Sequence, residues 1–172
     1  EGRAHVLAVA GGLGQDGEAV VSIRPRLVLA NALIKPVLFR QVGGGAAHEL
    51  PPGEQCTIDR ACGHPGSPIL VSVRYHEPGW DYSGSFRVDD PGDTLVKMRH
   101  RQRGIVGLVR VDVALGKGGT FKATISDQGV DFAPFRIDNF TRVTLRYFQH
   151  GCEDREDYLP PHSSTRYAWD EP

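Results

Sequence analysis

The sequence predicts an all-β protein made of antiparallel β-sandwich repeat modules. Three observations predict it: short alternating apolar runs bounded by turn residues, a glycine and proline content that breaks long helices, and an internal repeat. The 21 glycines and 12 prolines are about a fifth of the 172 residues, against roughly 12% in an average chain. With 40% hydrophobic and 24% charged residues the composition is globular, not disordered. A chain of this length buries enough surface to need neither disulfide nor metal.

Taken in order, the candidate strands are 5–10, 18–23, 26–31, 36–42, 54–59, 69–75, 83–88, 94–100, 105–115, 120–127, 135–139, 142–149 and 166–170. Most are short, and several alternate apolar with polar. In IVGLVRVDVAL (105–115), Val109, Val111, Val113 and Leu115 share one side, and Leu108, Arg110, Asp112 and Ala114 share the other. That pattern has one buried and one wet face, as in an antiparallel sheet. The breaks GGLGQDG, GGG, LPPGE, HPGSP, EPGW, DDPGD, GKGG and LPPHSS are turn sequences. No segment keeps a helical period.

The repeat sets the organisation. Segments 26–58 and 134–169 each carry a strand ending in asparagine, Asn31 or Asn139. Eight residues later comes an aromatic, Phe39 or Tyr147, and two further a glutamine, Gln41 or Gln149. Leu-Pro-Pro follows at 50–52 or 159–161. The offset is 108, growing by one within the turn. Leu13-Gly14, Gly17 and Ile23 match Leu115-Gly116, Gly119 and Ile125 at an offset of 102. The expected parts are the tail of one repeat (1–23), a whole repeat (24–125) and the head of the next (126–172). A turn asparagine bonds backbone across its turn. The same amide, if exposed, suits the backbone of an extended peptide beside a sheet edge. Recurrence does not separate these two roles.

The net charge of −1 gives no reason to expect nucleic acid or an anionic membrane as main partner. No apolar run has bilayer length. The start lacks methionine and a signal-peptide pattern, as expected of a segment from a longer chain. Cys56, Cys62 and Cys152 form no disulfide framework; reduced thiols are favoured and point to the cytosol. Cys56, Cys62 and His64 hint at zinc but lack a fourth ligand, and a Cys56–Cys62 disulfide is the remaining alternative. GGLGQDG (11–17) reads as a hairpin loop. DDPGD (89–93), Asp131, Asp138 and EDREDY (153–158) lack calcium-loop spacing and read as solvated surface.

No nucleophile, acid–base or cofactor motif occurs, so no enzyme, catalytic residue, cofactor or metal is expected. Alternation sets Lys97, Arg99, Arg101 and Arg103 on one strand face. That face is a solvent side, a charged edge against aggregation, or a lipid-headgroup surface. Trp80, Tyr82 and Trp169 are apolar anchors. An aromatic beside a strand edge also docks proline rings, because a polyproline segment is already extended.

The closing words LPPHSSTRYAWDEP (159–172), with the repeated strands RLVLAN and FRIDN, resemble the adaptor-binding (SHR-BD) region of the vacuolar-protein-sorting thirteen family of bridge-like lipid-transfer proteins. The resemblance implies tandem β-sandwich repeats with an asparagine at the place of Asn31 and Asn139. It implies recognition of short proline-x-proline motifs in adaptor proteins, and thereby placement at organelle membrane contact sites. The protein would be cytoplasmic and peripheral, with adaptor proteins and neighbouring repeats of the same parent chain as partners, touching membrane only indirectly and binding no nucleic acid. Expected peptide-binding residues are Asn31, Asn139, Tyr147 and Trp169. A peripheral lipid-binding sandwich and a purely structural spacer repeat are the alternatives.

Overall fold

The computed structural model describes residues 7–44, 46–59, 66–127 and 133–172. Cys62, His64 and Asp131 lie outside them. Among the described residues there is no helix; all regular structure is strand.

The chain opens with a hairpin, β1 (Leu7–Leu13) and β2 (Ala19–Pro25). A two-sheet sandwich follows. Its strands are β3 (Leu27–Asn31), β4 (Val37–Gln41), β5 (His48–Leu50), β6 (Gln55–Thr57), β7 (Leu70–Tyr75), β8 (Phe86–Arg87), β9 (Gly92–His100), β10 (Ile105–Leu115) and β11 (Phe121–Ser126). One sheet has the order β6-β3-β11-β10-β9, the other β5-β4-β7-β8. The chain then adds two short ladders. β12 (Phe135–Asn139) pairs with β15 (Ser163–Tyr167), and β13 (Leu145–Tyr147) pairs with β14 (Asp157–Leu159).

The alternation in β10 does what the pattern predicts over most of its length. Val109, Val111 and Val113 are buried, and Asp112 is exposed. They meet Val71, Val73, Val37 and Phe39 of the facing sheet in one apolar core. Leu115 departs from the pattern and is exposed; it ends the strand beside the turn at Gly116. Trp80 packs on this core, edge-on to Tyr75 and His100 at 4.9 and 5.3 Å between ring centres. Tyr82 instead carries Arg40 over its ring at 4.2 Å.

One pair is parallel. β11 runs beside β3 in the register Phe121–Leu27 to Ile125–Asn31. Parallel neighbours need a long crossover, and here the crossover is the whole sandwich, whose last strand returns beside its first. Two strands, β5 and β14, were not expected. Each is three residues long, too short to show alternation, and exists by pairing with β4 or β13. The final strand lies at Ser163–Tyr167 and not at 166–170. Pairing with β12 decides this, not the apolar YAW.

The matched segments adopt matched geometry. β1–β2 pairs Leu13 with Ala19 and Val9 with Ile23; β10–β11 pairs Leu115 with Phe121 and Val111 with Ile125. Both turns close with the same two backbone bonds, Gly14 N to Glu18 O and Gly17 N to Gly14 O, and Gly116 N to Thr120 O and Gly119 N to Gly116 O. Likewise β3–β6 and β4–β5 correspond to β12–β15 and β13–β14.

The last segment docks on the sandwich at Gly84. A Cβ there would stand 2.0 Å from the Asp170 carbonyl oxygen, and the neighbouring Ser85 amide donates to Glu171 Oε2 at 3.0 Å. Gly84→Ala is therefore expected to lower stability by about 1–3 kcal/mol and to speed hydrogen exchange of the 166–171 amides. Unchanged exchange there would show that this approach is not needed for docking.

Candidate functional site

Asn31 and Asn139 end corresponding strands, and each is 1% exposed. Asn31 Nδ2 donates to the carbonyls of Lys35 and Leu50, both at 2.9 Å, while its Oδ1 accepts from Leu33 N at 3.0 Å. Asn139 Nδ2 donates to Val143 O (2.8 Å), Leu159 O (3.0 Å) and Pro160 O (2.8 Å), and its Oδ1 accepts from Thr141 N at 2.9 Å. The recurring asparagine and the recurring Leu-Pro-Pro are thus bonded to one another. Gly53 and His162, the residue after each Pro-Pro, share a positive φ of 75° and 51°; glycine adopts it freely and histidine does not.

This corrects the expectation of an exposed amide that receives a partner's backbone. Both donors and the acceptor of each asparagine are already engaged within the chain. The recurring glutamine is also a clamp. Gln149 Nε2 donates to Glu171 O at 3.0 Å, and its Oε1 accepts from Asp170 N at 2.7 Å and Glu171 N at 3.0 Å. Gln41 Nε2 donates to Asp59 O.

The basic face is corrected as well. Lys97 is buried, with its Nζ 3.0 Å from Asp170 Oδ2 and 3.4 Å from Asp157 Oδ2. Arg99 Nη2 donates to Asp157 Oδ2 at 2.8 Å, Asp170 Oδ1 at 3.0 Å and Arg155 O at 3.1 Å. Lys97 also lies 4.5 Å above the Tyr167 ring. The alternation is real, since these cations share the outer face of β9, but segment 152–171 covers that face. Lys97 and Arg99 are thus withdrawn from any lipid headgroup. Arg101 stays exposed and pairs with Asp81; Arg103 is exposed. Burial works against the Arg99 charge, but hydrogen bonds and attraction from Asp157, then Asp170, raise its pKa further. Burial likewise opposes the Asp157 charge, and Arg99 and Lys97 outweigh it, so its carboxyl sits below its ordinary value.

Beside this clamp the two remaining candidates come together. Tyr147 stacks edge-on to Tyr167 at 5.9 Å, and Tyr167 to Trp169 at 5.5 Å. Trp169 meets Phe135 edge-on at 5.2 Å. Tyr147 is half-buried, whereas Trp169 and Phe135 are 44% and 43% exposed. These two rings, with Pro134 and Ala168, form one wall of a groove of about 550 Å³; Asp93, Leu95 and Arg110 form the other. Arg110 has a buried Nε–H with no acceptor among the described residues and a 3.4 Å contact from Nη2 to Asp93. Sequence reasoning missed Phe135 because its counterpart, Leu27, is a core residue. It missed Asp157 and Asp170 because their cations are about 60–70 residues away in sequence. Among the described residues, no strand pairs with the second edge of β12.

The other candidates take structural places. Cys56 and Cys152 are free thiols, both with pKa raised by burial. Asp89 and Asp90 pair with Arg87, and Asp138 with Arg136. No three His, Cys, Asp or Glu converge among the described residues.

Removing either asparagine leaves several backbone groups unmet, at roughly 1–3 kcal/mol apiece. Asn31→Ala and Asn139→Ala are each expected to cost about 3 kcal/mol in chemical unfolding. Asn139→Asp, which keeps the acceptor and loses the donors, should be as damaging; a harmless Asp would refute the donor role. The depressed Asp157 pKa gives stability that is full above the unfolded value of about 3.9 and is lost as pH falls through the lower folded value. Thermal midpoints should drop over that acid range, and Asp157→Asn should flatten the drop while lowering stability at neutral pH.

A family model described as the vacuolar-sorting associated protein 13 adaptor binding domain matches residues 17–172. The chain is 30% identical over 156 residues to the intermembrane lipid transfer protein vps13D of Dictyostelium discoideum, covering 88% of this chain and 3% of that protein. It is 31% identical over 169 residues to the intermembrane lipid transfer protein VPS13D of Homo sapiens, covering 89% and 4% respectively. The chain therefore spans a few per cent of the length of these curated relatives. A match over nearly its whole length, on an all-β sandwich with recurring asparagine turns, establishes that this chain belongs to the adaptor binding domain family of vacuolar-sorting associated protein 13.

Proposed function

We propose that this domain recognises short proline-x-proline peptides of adaptor proteins, and so directs a lipid-transfer protein to organelle contact sites. The observation that carries the reading is the exposed Phe135–Trp169 pair walling a groove next to the edge of β12 that has no strand neighbour among the described residues. In an extended strand, alternate residues direct their backbone groups to the same side. A proline-x-proline segment can therefore bond a sheet edge through x, while both prolines, which lack an N–H, turn theirs away. Their rings would rest on Trp169 and Phe135, across the groove from Arg110.

In this reading Trp169 is the contact, Tyr147 backs it through Tyr167, and Asn139 holds the turn beside it. Asn31 does the same for the central sandwich. Titration of proline-x-proline peptides by calorimetry tests the assignment. Trp169→Ala should weaken binding about 30-fold, the roughly 2 kcal/mol of an interface hot spot. Replacing x by proline should abolish it by removing the bonding N–H. Equal binding to the wild type and Trp169→Ala would refute the groove.

A further inference from the structure

We propose that Arg40, Arg74 and Tyr82, on the outer face of the β4–β7 pair, form a site for a phosphorylated side chain of a partner protein. Val37, Phe39, Val71 and Val73 point into the core, so alternation turns Leu38, Arg40, Ser72 and Arg74 outward. The register sets Arg40 opposite Ser72 and Leu38 opposite Arg74. The two arginines are therefore diagonal neighbours, roughly 7–8 Å apart at the backbone. Both converge on one ring: the Arg40 Cζ lies 4.2 Å and the Arg74 Cζ 5.3 Å from the centre of Tyr82. The next residue fixes the place of that ring. The Ser83 amide donates to Val73 O at 2.8 Å, and Ser83 Oγ accepts from Val73 N at 3.1 Å.

The pair stands out because it has no counter-charge. The carboxylates of this sheet are engaged elsewhere: Asp89 and Asp90 on Arg87, Glu77 on Lys35, and Glu49 on His76 Nδ1. Among the described residues no carboxylate pairs with Arg40 or Arg74. Arg74 donates one bond, from Nη1 to Tyr75 O at 3.2 Å. The Arg40 guanidinium and the Tyr82 hydroxyl donate to no described residue. The ring attracts each guanidinium by about 0.5–1 kcal/mol at an exposed site, and their mutual repulsion is left uncompensated until an anion joins them.

The arrangement selects the anion. Each guanidinium is a planar fork that grips two oxygens. A carboxylate has two oxygens and is used up by one fork. A phosphate monoester offers three oxygens and nearly two charges, enough for both arginines and the tyrosine hydroxyl. An anionic bilayer is a poorer match, because it is held by clusters of about 4–8 cations. Here two unpaired cations share their sheet with Glu49, which sits opposite Leu38, and with the acidic pair around Arg87. One discrete dianion on a peptide fits that pattern.

Selection from a degenerate peptide library with a fixed central phosphoserine, on the immobilised 172-residue chain, tests this. The chain should retain these peptides in clear excess over the same library with serine or glutamate at the centre, and inorganic phosphate should elute them. Arg40→Gln, at an exposed position, should reduce retention about 10-fold, and Arg74→Gln should act alike. Arg40→Lys keeps the charge, loses the fork and should not restore retention. Equal retention of the three libraries, or retention unchanged in both glutamine variants, would overturn the site. Pelleting of the chain with phosphatidylserine vesicles that Arg40→Gln abolishes would give this face to a membrane and overturn the peptide assignment. Arg40→Gln leaves Trp169 and Phe135 untouched and should titrate proline-x-proline peptide like the wild type, so the adaptor reading and this one fail separately.

Discussion

Four charged side chains hold the end of this chain to its centre. Lys97 and Arg99 of β9 meet Asp157 and Asp170, and two of the four, Lys97 and Asp170, are almost wholly withdrawn from water. Burying such charges costs several kcal/mol per ion, and their attraction offsets the cost only with good geometry and further hydrogen bonds. Both conditions are met here. Arg99 reaches two carboxylates and a carbonyl, and the amide of Asp170 is itself tied to Gln149. Loss of any one member would leave the other three with an unbalanced, largely buried charge. The position of Trp169, the residue before Asp170, follows from this cluster, and with it the groove against Leu95 and Arg110.

The asparagines set local shape on a smaller scale. Each gathers a strand end, the tight turn after it and the carbonyl of a leucine 19 or 20 residues away into one hydrogen-bonded knot. Such a knot needs an uncharged side chain with two donors and an acceptor, which of the short side chains only asparagine offers. That explains why the residue and the Leu-Pro-Pro recur together at nearly fixed separation. It also means that the amide groups of both asparagines are spent within the chain on holding strand and turn together.

Much of the fold was legible in the residues. The valines of β10 and the core positions of β3, β4 and β7 follow from period-two alternation, and the glycine-rich hairpin turns from their composition. β5 and β14 were not legible, because three residues carry no period. The parallel β3–β11 pair was not, because no local signal joins strands about 95 residues apart. In the candidate site, Trp169 and Tyr147 were visible as recurring or terminal aromatics. Phe135 was hidden behind a core leucine in the other copy.

The basic strand shows where reading residues stops. Alternation correctly sets Lys97 and Arg99 on one face of β9, and elementary expectation sends that face to water. A distant segment covers it instead, and the carboxylates that make this tolerable stand at Asp157 and Asp170. By itself, the sequence determined the class of fold, the repeat and the strand faces, because these depend on periodicity and on turn residues close along the chain. Only the tertiary structure decided which faces are covered and which asparagine donors are spent, because burial and hydrogen-bond partners are set by segments far apart in sequence.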